Sequence, residues 1–243
     1  MVGAFFALFL SAAAWLVAGP GRAEEARVLI GSIAAASETG ADDPDAAASP
    51  VARAAKALMD RLGYRRPPEL LPFVRAVVEV QKHDDAVMLP LARTPKRESE
   101  YQWLVPLWED DCVIVTLRGL DIDAKNLGSA RIGVVRASAT QEVAEQLGYT
   151  NLELSTDDIQ NLQKLRRGRI EAWFGLRQRV DRAIALLRLD PAEFHISASL
   201  SPLKIYVAAS KSFDSKEAER WKAAGDGLLA EGVMASLLRD GPL

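Results

Sequence analysis

Short apolar segments alternate with capped helical segments along most of this chain, and that alternation constrains the fold more than any other feature. The clearest helical segment follows Ser49, a favourable N-cap residue, and begins with Pro50. It stops at Gly63, because glycine readily adopts the left-handed conformation that ends helices. Strands that are separated by helices are typical of parallel sheets. The sequence therefore predicts an α/β fold.

The alternation is interrupted once, at the polar loop 118–129. Beyond this loop a second series of strands and helices begins, with a helix whose Ser138 and Gln141 have the spacing of a capping box. We therefore expect two lobes, each a mostly parallel sheet flanked by helices, that are joined by two crossovers. The expected division gives residues 24–117 and 203–243 to lobe 1 and residues 118–202 to lobe 2.

The first 23 residues differ in character from the rest of the chain. They contain a long apolar run, followed by the small residues Gly21 and Ala23 directly before a charged segment. This pattern is typical of a secretory signal, so we expect residues 1–23 to be a signal peptide and the protein to be periplasmic. No lysine or arginine precedes the apolar run, and an uncleaved membrane anchor is therefore the alternative.

The inventory of charged and metal-binding side chains argues against several classes of function. The net charge of −3 gives the chain no general attraction to nucleic acid. The single cysteine, Cys112, excludes an internal disulfide and a multi-cysteine zinc site. Two histidines, His83 and His195, leave little for histidine-based metal or triad chemistry. This is a poor inventory for an enzyme, although it leaves carboxylate chemistry open, and we predict a protein that is not an enzyme and that has no metal or cofactor.

Four segments of the chain resemble, in order, signatures of the family 3 periplasmic solute-binding proteins, which are the substrate-binding components of polar amino-acid ABC transporters. These segments are LPFVRAV, LARTPKRESEYQWLVPL, IGVVRASATQEVAEQLGY and NLQKLRRGRIEAWFG. The resemblance implies a type II two-lobed fold that binds a small ligand between its lobes and closes over it. It also implies a monomer that delivers its ligand to an ABC permease in the inner membrane.

The polar loop after the apolar segment AVMLPLA carries Thr94 and Arg97. In the family, an arginine at the place of Arg97 binds the carboxylate of the ligand, and the planar guanidinium fork suits a carboxylate well. The alternative is that Arg97 pairs with an acidic residue, namely Glu98, Glu100 or Asp110, as charged loop residues commonly do. The resemblance likewise implies that Ser138 and Thr140, at a helix N-terminus facing the cleft, contact the same carboxylate. Plain helix capping by Ser138 is the alternative there.

The chain also departs from the family pattern. The aspartate that holds the ammonium group of the ligand in amino-acid binders is replaced by Leu176, followed by Arg177. A buried ammonium without a charge partner is costly, so an ordinary α-amino acid is not the expected ligand. If Arg177 faces the cleft, a carboxylate-bearing or otherwise anionic solute is favoured. Pro90 and Ala92 stand where the family has hydroxyl-bearing residues.

Three further possibilities stay open at this point. A different aromatic wall could come from Trp103, Trp173 or Phe174, although aromatic residues at such spacing are more often core. The protein could be a ligand-poor relative of the family that acts as a sensor or an interaction partner. It could also be a dehydratase-like enzyme on the same scaffold, with an acid or base drawn from Glu98, Glu171 and His195.

Overall fold

The structure, a computed structural model, describes residues 25–32, 49–120 and 127–239. The expected signal peptide lies outside these residues. None of the helices within them combines the length and the apolar character needed to cross a membrane. The strands are β1 Arg27–Ser32, β2 Glu69–Pro72, β3 Ala86–Ala92, β4 Tyr101–Leu117, β5 Ile132–Val135, β6 Leu152–Ser155, β7 Ala172–Leu176, β8 Phe194–Ile196 and β9 Ser201–Ser210. The helices are α1 Pro50–Leu62, α2 Phe73–Lys82, α3 Ala139–Gln146, α4 Asp158–Arg166, α5 Arg177–Leu186, α6 Ser215–Ala230 and α7 Val233–Arg239.

Two packed units make up the described chain. We call lobe 1 the unit that contains β1–β3 with α1, α2, α6 and α7, and lobe 2 the unit that contains β5–β8 with α3–α5. In lobe 1, β2 and β3 pair in parallel with β1. In lobe 2, β6 and β7 pair in parallel with β5. This arrangement confirms the predicted α/β class and the mostly parallel sheet within each lobe.

The long strands β4 and β9 join the lobes. They run antiparallel to each other and to the strands on either side, so the described strands form one sheet in the order β2-β1-β3-β9-β4-β7-β5-β6, with β8 on β4. The continuous apolar run CVIVTL predicts a strand over 112–117, which is only the last part of β4. The strand begins eleven residues earlier, at Tyr101, because its first part pairs with β9 along lobe 1.

Each lobe buries apolar side chains on both faces of its strands. In lobe 1, α1, α6 and α7 cover one face and α2 covers the other. In lobe 2, α3 covers one face and α4 with α5 covers the other. Along β4 the packing passes from the core of lobe 1 at Leu107 to that of lobe 2 at Cys112, and Trp108 between them touches both. The expected boundary after residue 117 remains a prediction.

The predicted helix signals are present in the structure. Ser49 accepts a hydrogen bond from the backbone N–H of Ala52 at 3.2 Å, and Gly63 ends α1 in the left-handed region with φ of 75°. Ser138 caps α3 by accepting from the N–H of Gln141 at 3.2 Å. The reciprocal bond of this capping box reaches one residue further back, since Gln141 Oε1 accepts from the N–H of Ala137 at 2.8 Å.

Candidate functional site

A cavity of about 40 Å³ lies between the two lobes. Lobe 1 contributes the end of β3 and the loop after it, and lobe 2 contributes the first turns of α3, α4 and α5. A volume of this size holds about three water molecules. The residues that line it are Phe73, Pro90, Ala92, Arg97, Trp108, Val135, Ser138, Ala139, Thr140, Asp158, Leu176, Arg179 and Ile205.

Arg97 reaches this cavity because the loop after β3 folds into a tight turn. The backbone N–H of Arg97 donates to the carbonyl oxygen of Thr94 at 3.0 Å and lies 3.3 Å from the Thr94 hydroxyl. The turn points the Arg97 side chain across the lobe boundary, where only 7 % of the residue is exposed. A guanidinium this deeply buried is costly unless it has acceptors.

Its main acceptor is the carboxylate of Glu142 in α3. Arg97 Nη2 lies 2.7 Å and Nε 2.9 Å from Glu142 Oε1, and Thr94 Oγ1 donates to Glu142 Oε2 at 2.6 Å. The sequence prediction named Glu98, Glu100 or Asp110 as alternative partners of Arg97, and none of these is its partner. Glu98 instead pairs with Arg93 at the surface.

Ser138 and Thr140 are brought to the same cavity. Both residues are 6 % exposed, and their hydroxyl oxygens lie 2.8 Å apart. Ser138 also donates to the carbonyl oxygen of Val135 at 2.6 Å, so its hydroxyl is committed to the strand as well as to the helix cap. Arg97, Ser138 and Thr140 therefore line the cavity, whereas Thr94 is not among the lining residues and contacts Glu142 instead.

Arg177 lies elsewhere. Its Nη2 donates to the backbone carbonyl oxygen of Ser197 at 2.8 Å, and it is not among the residues that line the cavity. Arg179 lines the cavity instead. Successive residues on a helix are turned by about 100°, so two residues at the start of α5 two positions apart project in nearly opposite directions.

Arg179 faces two carboxyl groups. Its Nη1 lies 3.6 Å from Oδ2 of Asp158 at the start of α4, and Asp110 of β4 lies close enough for its charge to interact with Arg179. Asp110 Oδ1 accepts from the backbone N–H groups of Asp111 at 2.8 Å and Gln178 at 3.4 Å. Arg179 Nε, Asp110 Oδ2 and the indole N–H of Trp108 are buried and have no hydrogen-bond partner among the described residues.

Burial changes the titration of both carboxyl groups. It raises the pKa of Asp110 to about 6, against the opposing effect of the two backbone N–H groups and Arg179. Burial also raises the pKa of Asp158, and Arg179 opposes this rise.

The remaining walls are apolar. Pro90, Ala92 and Leu176, the positions that depart from the family pattern, all line the cavity. The alternative aromatic wall is not formed as expected, because Trp173 and Phe174 are fully buried in the two cores of lobe 2 and Trp103 packs under Arg93. Phe73 and Trp108 are the aromatic residues at the cavity.

The three acid–base candidates of the enzyme hypothesis do not line the cavity. His195 lies exposed on β8, where it pairs with Thr116 of β4. Glu171 forms an ion pair with Arg131, and Glu98 forms one with Arg93.

Sequence reasoning missed Glu142, Asp158, Arg179 and Trp108. Glu142 follows the capping box directly, so its place at the cleft-facing end of α3 was a usable signal. Asp158 and Arg179 occupy the first turns of two helices and resemble the solvated charges of their neighbours, so nothing in the sequence distinguished them.

The fold is shared with solved structures of low sequence identity. A histidine kinase sensor domain with similarity to periplasmic binding proteins aligns with a TM-score of 0.71 and 15% identity, over 87% of this chain and 93% of that one. The arginine-, lysine-, histidine-binding protein ArtJ from Geobacillus stearothermophilus aligns with a TM-score of 0.69 and 16% identity, over 88% and 94%. An ancestral arginine-binding protein bound to arginine gives a TM-score of 0.68 and 17% identity, over 88% and 96%.

No protein-family model matches the chain, and no curated protein is significantly similar to it in sequence. The likeness is therefore one of three-dimensional structure, and it extends over nearly the full length of the solved chains. This chain has the two-lobed fold of the family 3 periplasmic binding proteins.

Proposed function

We propose that this protein is an exported solute-binding protein that captures a small carboxylate-bearing solute between its lobes for an ABC transporter. The observation that carries the proposal is Arg97, a buried guanidinium that lines an interlobe cavity beside the capped N-terminus of α3. Guanidinium groups and helix N-termini both favour anions. The buried N–H groups of the Trp108 indole and of Arg179 Nε have no hydrogen-bond partner within the described part of the chain and add donors for the oxygen atoms of a solute.

The class of solute is narrowed by two other residues that line the cavity, Leu176 and Asp158. Leu176 offers no charge to an ammonium group, but Asp158 brings a carboxyl group to the same cavity from another helix. Asp158 is already paired with Arg179, whose Nη1 lies 3.6 Å from Asp158 Oδ2, so an ammonium group would have to compete with that guanidinium. We therefore propose carboxylates with an uncharged polar group, such as hydroxy acids, ahead of free α-amino acids.

The test is thermal unfolding of residues 24–243 with amino acids, hydroxy acids and dicarboxylates. A solute at a hundred times its Kd adds about 2.7 kcal/mol to the free energy of unfolding, which raises the Tm of a chain of this size by several degrees. Arg97→Lys keeps the positive charge but loses the fork, and should abolish the shift. Arg93→Lys makes the same change on the same loop outside the cavity and should retain it. A shift that persists in Arg97→Lys would contradict the proposal.

A second candidate function is sensing by a ligand-poor protein of the same fold. Two observations favour it, the small volume of the cavity and the ion pair that already occupies Arg97. The sensor domain of a histidine kinase shares the fold. Neighbouring permease and ATPase genes would support transport, whereas a neighbouring kinase gene together with no Tm shift from any solute would support sensing.

A further inference from the structure

The ion pair between Arg97 and Glu142 spans the two lobes. Arg97 follows β3 in lobe 1, and Glu142 lies in α3 of lobe 2. The Glu142 carboxylate receives donors from Arg97 Nη2 at 2.7 Å, Arg97 Nε at 2.9 Å and Thr94 Oγ1 at 2.6 Å, all of them from lobe 1. The side chains of Arg97 and Glu142 are only 8% and 12% exposed, so water weakens this pair much less than a surface pair.

The pair uses one edge of the guanidinium. Among the described residues, Arg97 Nη1 has one hydrogen-bond acceptor, the carbonyl oxygen of Ala92 at 3.5 Å, which is at the outer limit of a hydrogen bond. Arg97 also lines the interlobe cavity, whereas Glu142 is not among the residues that do. Glu142 can therefore hold the Nε edge while Nη1 remains available to a solute.

A second cavity, of about 200 Å³, lies on the other side of the pair. Arg97 and Glu142 both line it, together with Gln81 of α2 and Lys96, whose side chain is exposed. The pair thus separates the inner cavity from an outer one whose rim reaches solvent. Water in the outer cavity could therefore solvate the Arg97 and Glu142 side chains if the pair broke.

We propose that Glu142 is a positioning residue that latches lobe 2 onto Arg97 and so holds the lobes closed without any bound solute. The same contact orients the Arg97 guanidinium toward the inner cavity before a solute arrives. The latch itself is independent of ligand; only its effect on affinity rests on the proposed solute-binding function.

The first experiment measures the distance between the lobes in the absence of solute. Spin labels at Arg75→Cys on α2 and Gln146→Cys on α3 use exposed positions on opposite lobes, and the native Cys112 is fully buried. We expect one short distance in otherwise wild-type protein. In Glu142→Gln the ratio of closed to open molecules should fall about tenfold, equal to about 1.4 kcal/mol, with a new population at longer distance.

Glu145→Gln is the matched control. It removes the same charge from the same helix, and Glu145 is exposed and accepts a hydrogen bond from Gln141 rather than from lobe 1. Its distance distribution should equal that of the wild type. The proposal is overturned if Glu142→Gln and Glu145→Gln give the same distribution.

The second experiment measures affinity for whichever carboxylate stabilises the wild type. If the ion pair already holds the lobes closed before the solute binds, its loss in Glu142→Gln should weaken binding by up to the same factor of ten. Glu145→Gln should leave the affinity unchanged. Unchanged affinity together with a changed distance would refute the orienting role and leave the latch. If no solute binds the wild type, the proposed function fails, while the distance measurement still decides the latch.

Discussion

The charged groups near Arg97 and those near Arg179, on two sides of the interlobe cavity, differ in how completely they are hydrogen-bonded. At the Arg97 end, the guanidinium, the Glu142 carboxylate and the hydroxyl groups around them all have hydrogen-bond partners. At the Arg179 end, a guanidinium N–H and a carboxylate oxygen are buried without any among the described residues. The first end is mainly a structural contact between the lobes, in which only Arg97 Nη1, at 3.5 Å from the carbonyl oxygen of Ala92, keeps capacity for a solute. The second retains unmet hydrogen-bonding capacity, which is the property of a surface that receives a ligand or water.

Replacement of Arg97 tests the ion pair between the lobes and should cause the largest loss in the free energy of unfolding. Arg97→Ala leaves Glu142 nearly buried and unpaired, and we expect a loss of about 2–3 kcal/mol in the free energy of unfolding, measured with urea. Arg93→Ala is the control, since Arg93 pairs with Glu98 at the surface and should cost less. Equal losses in the two variants would show that the interlobe pair contributes no more than a surface pair.

Removal of Arg179 tests the other end. Arg179→Ala should cost about 1–2 kcal/mol, less than Arg97→Ala, because Asp158 can take up a proton instead of remaining charged. It should also reduce the Tm shift caused by a bound solute. Arg177→Ala removes the same side chain two residues earlier, where it contacts the backbone of Ser197, and should leave that shift intact. If Arg177→Ala reduced the Tm shift and Arg179→Ala did not, Arg177 would contact the solute, as the sequence predicted.

The pH dependence of stability sharpens the comparison further. Because the folded-state pKa of Asp110 is raised to about 6 from an ordinary value near 3.8, the folded protein binds more protons than the unfolded chain between these values. Asp110 therefore reduces stability progressively as the pH rises from about 4 to 6, and the loss is complete above that range.

Asp110→Asn removes this titration. It should stabilise the protein by up to about 3 kcal/mol at pH 8, which is the free energy that corresponds to a shift of about two pKa units, and have little effect near pH 4, because a protonated aspartate resembles asparagine. Urea unfolding at several pH values measures the difference. Asp111→Asn, the same change at the adjacent residue, is the control. A stabilisation by Asp110→Asn that stays constant from pH 4 to pH 8 would contradict the assigned cause.

Much of the fold was predictable because its signals are local. Ser49, Pro50 and Gly63 fix the limits of α1 through backbone hydrogen bonds and backbone angles that depend on adjacent residues. The first part of β4 was not predictable in this way. Its strand conformation depends on pairing with β9, about a hundred residues further along the chain.

The candidate site likewise combines residues that the sequence predicted and residues that it did not. The sequence, through its likeness to a known family, brought Thr94, Arg97, Ser138 and Thr140 together as one group. Arg97, Ser138 and Thr140 line the cavity, and Thr94 lies beside it through its bond to Glu142. The sequence did not identify Glu142 as the partner of Arg97. Ion pairs between distant residues depend on how lobes pack, and acidic residues close in sequence to Arg97 were the more obvious candidates.

The sequence by itself determined the helix limits, the alternation of strands and helices, and the polar loop that carries Arg97, because each rests on the chemistry of neighbouring residues. Only the tertiary structure decided which carboxylate Arg97 binds, and that Arg179 rather than Arg177 lines the cavity. These outcomes depend on the closing of two lobes and on which side of a helix faces the gap between them. The physical reason is that burial, which sets the cost of each charge, is a property of the packed molecule and not of any segment.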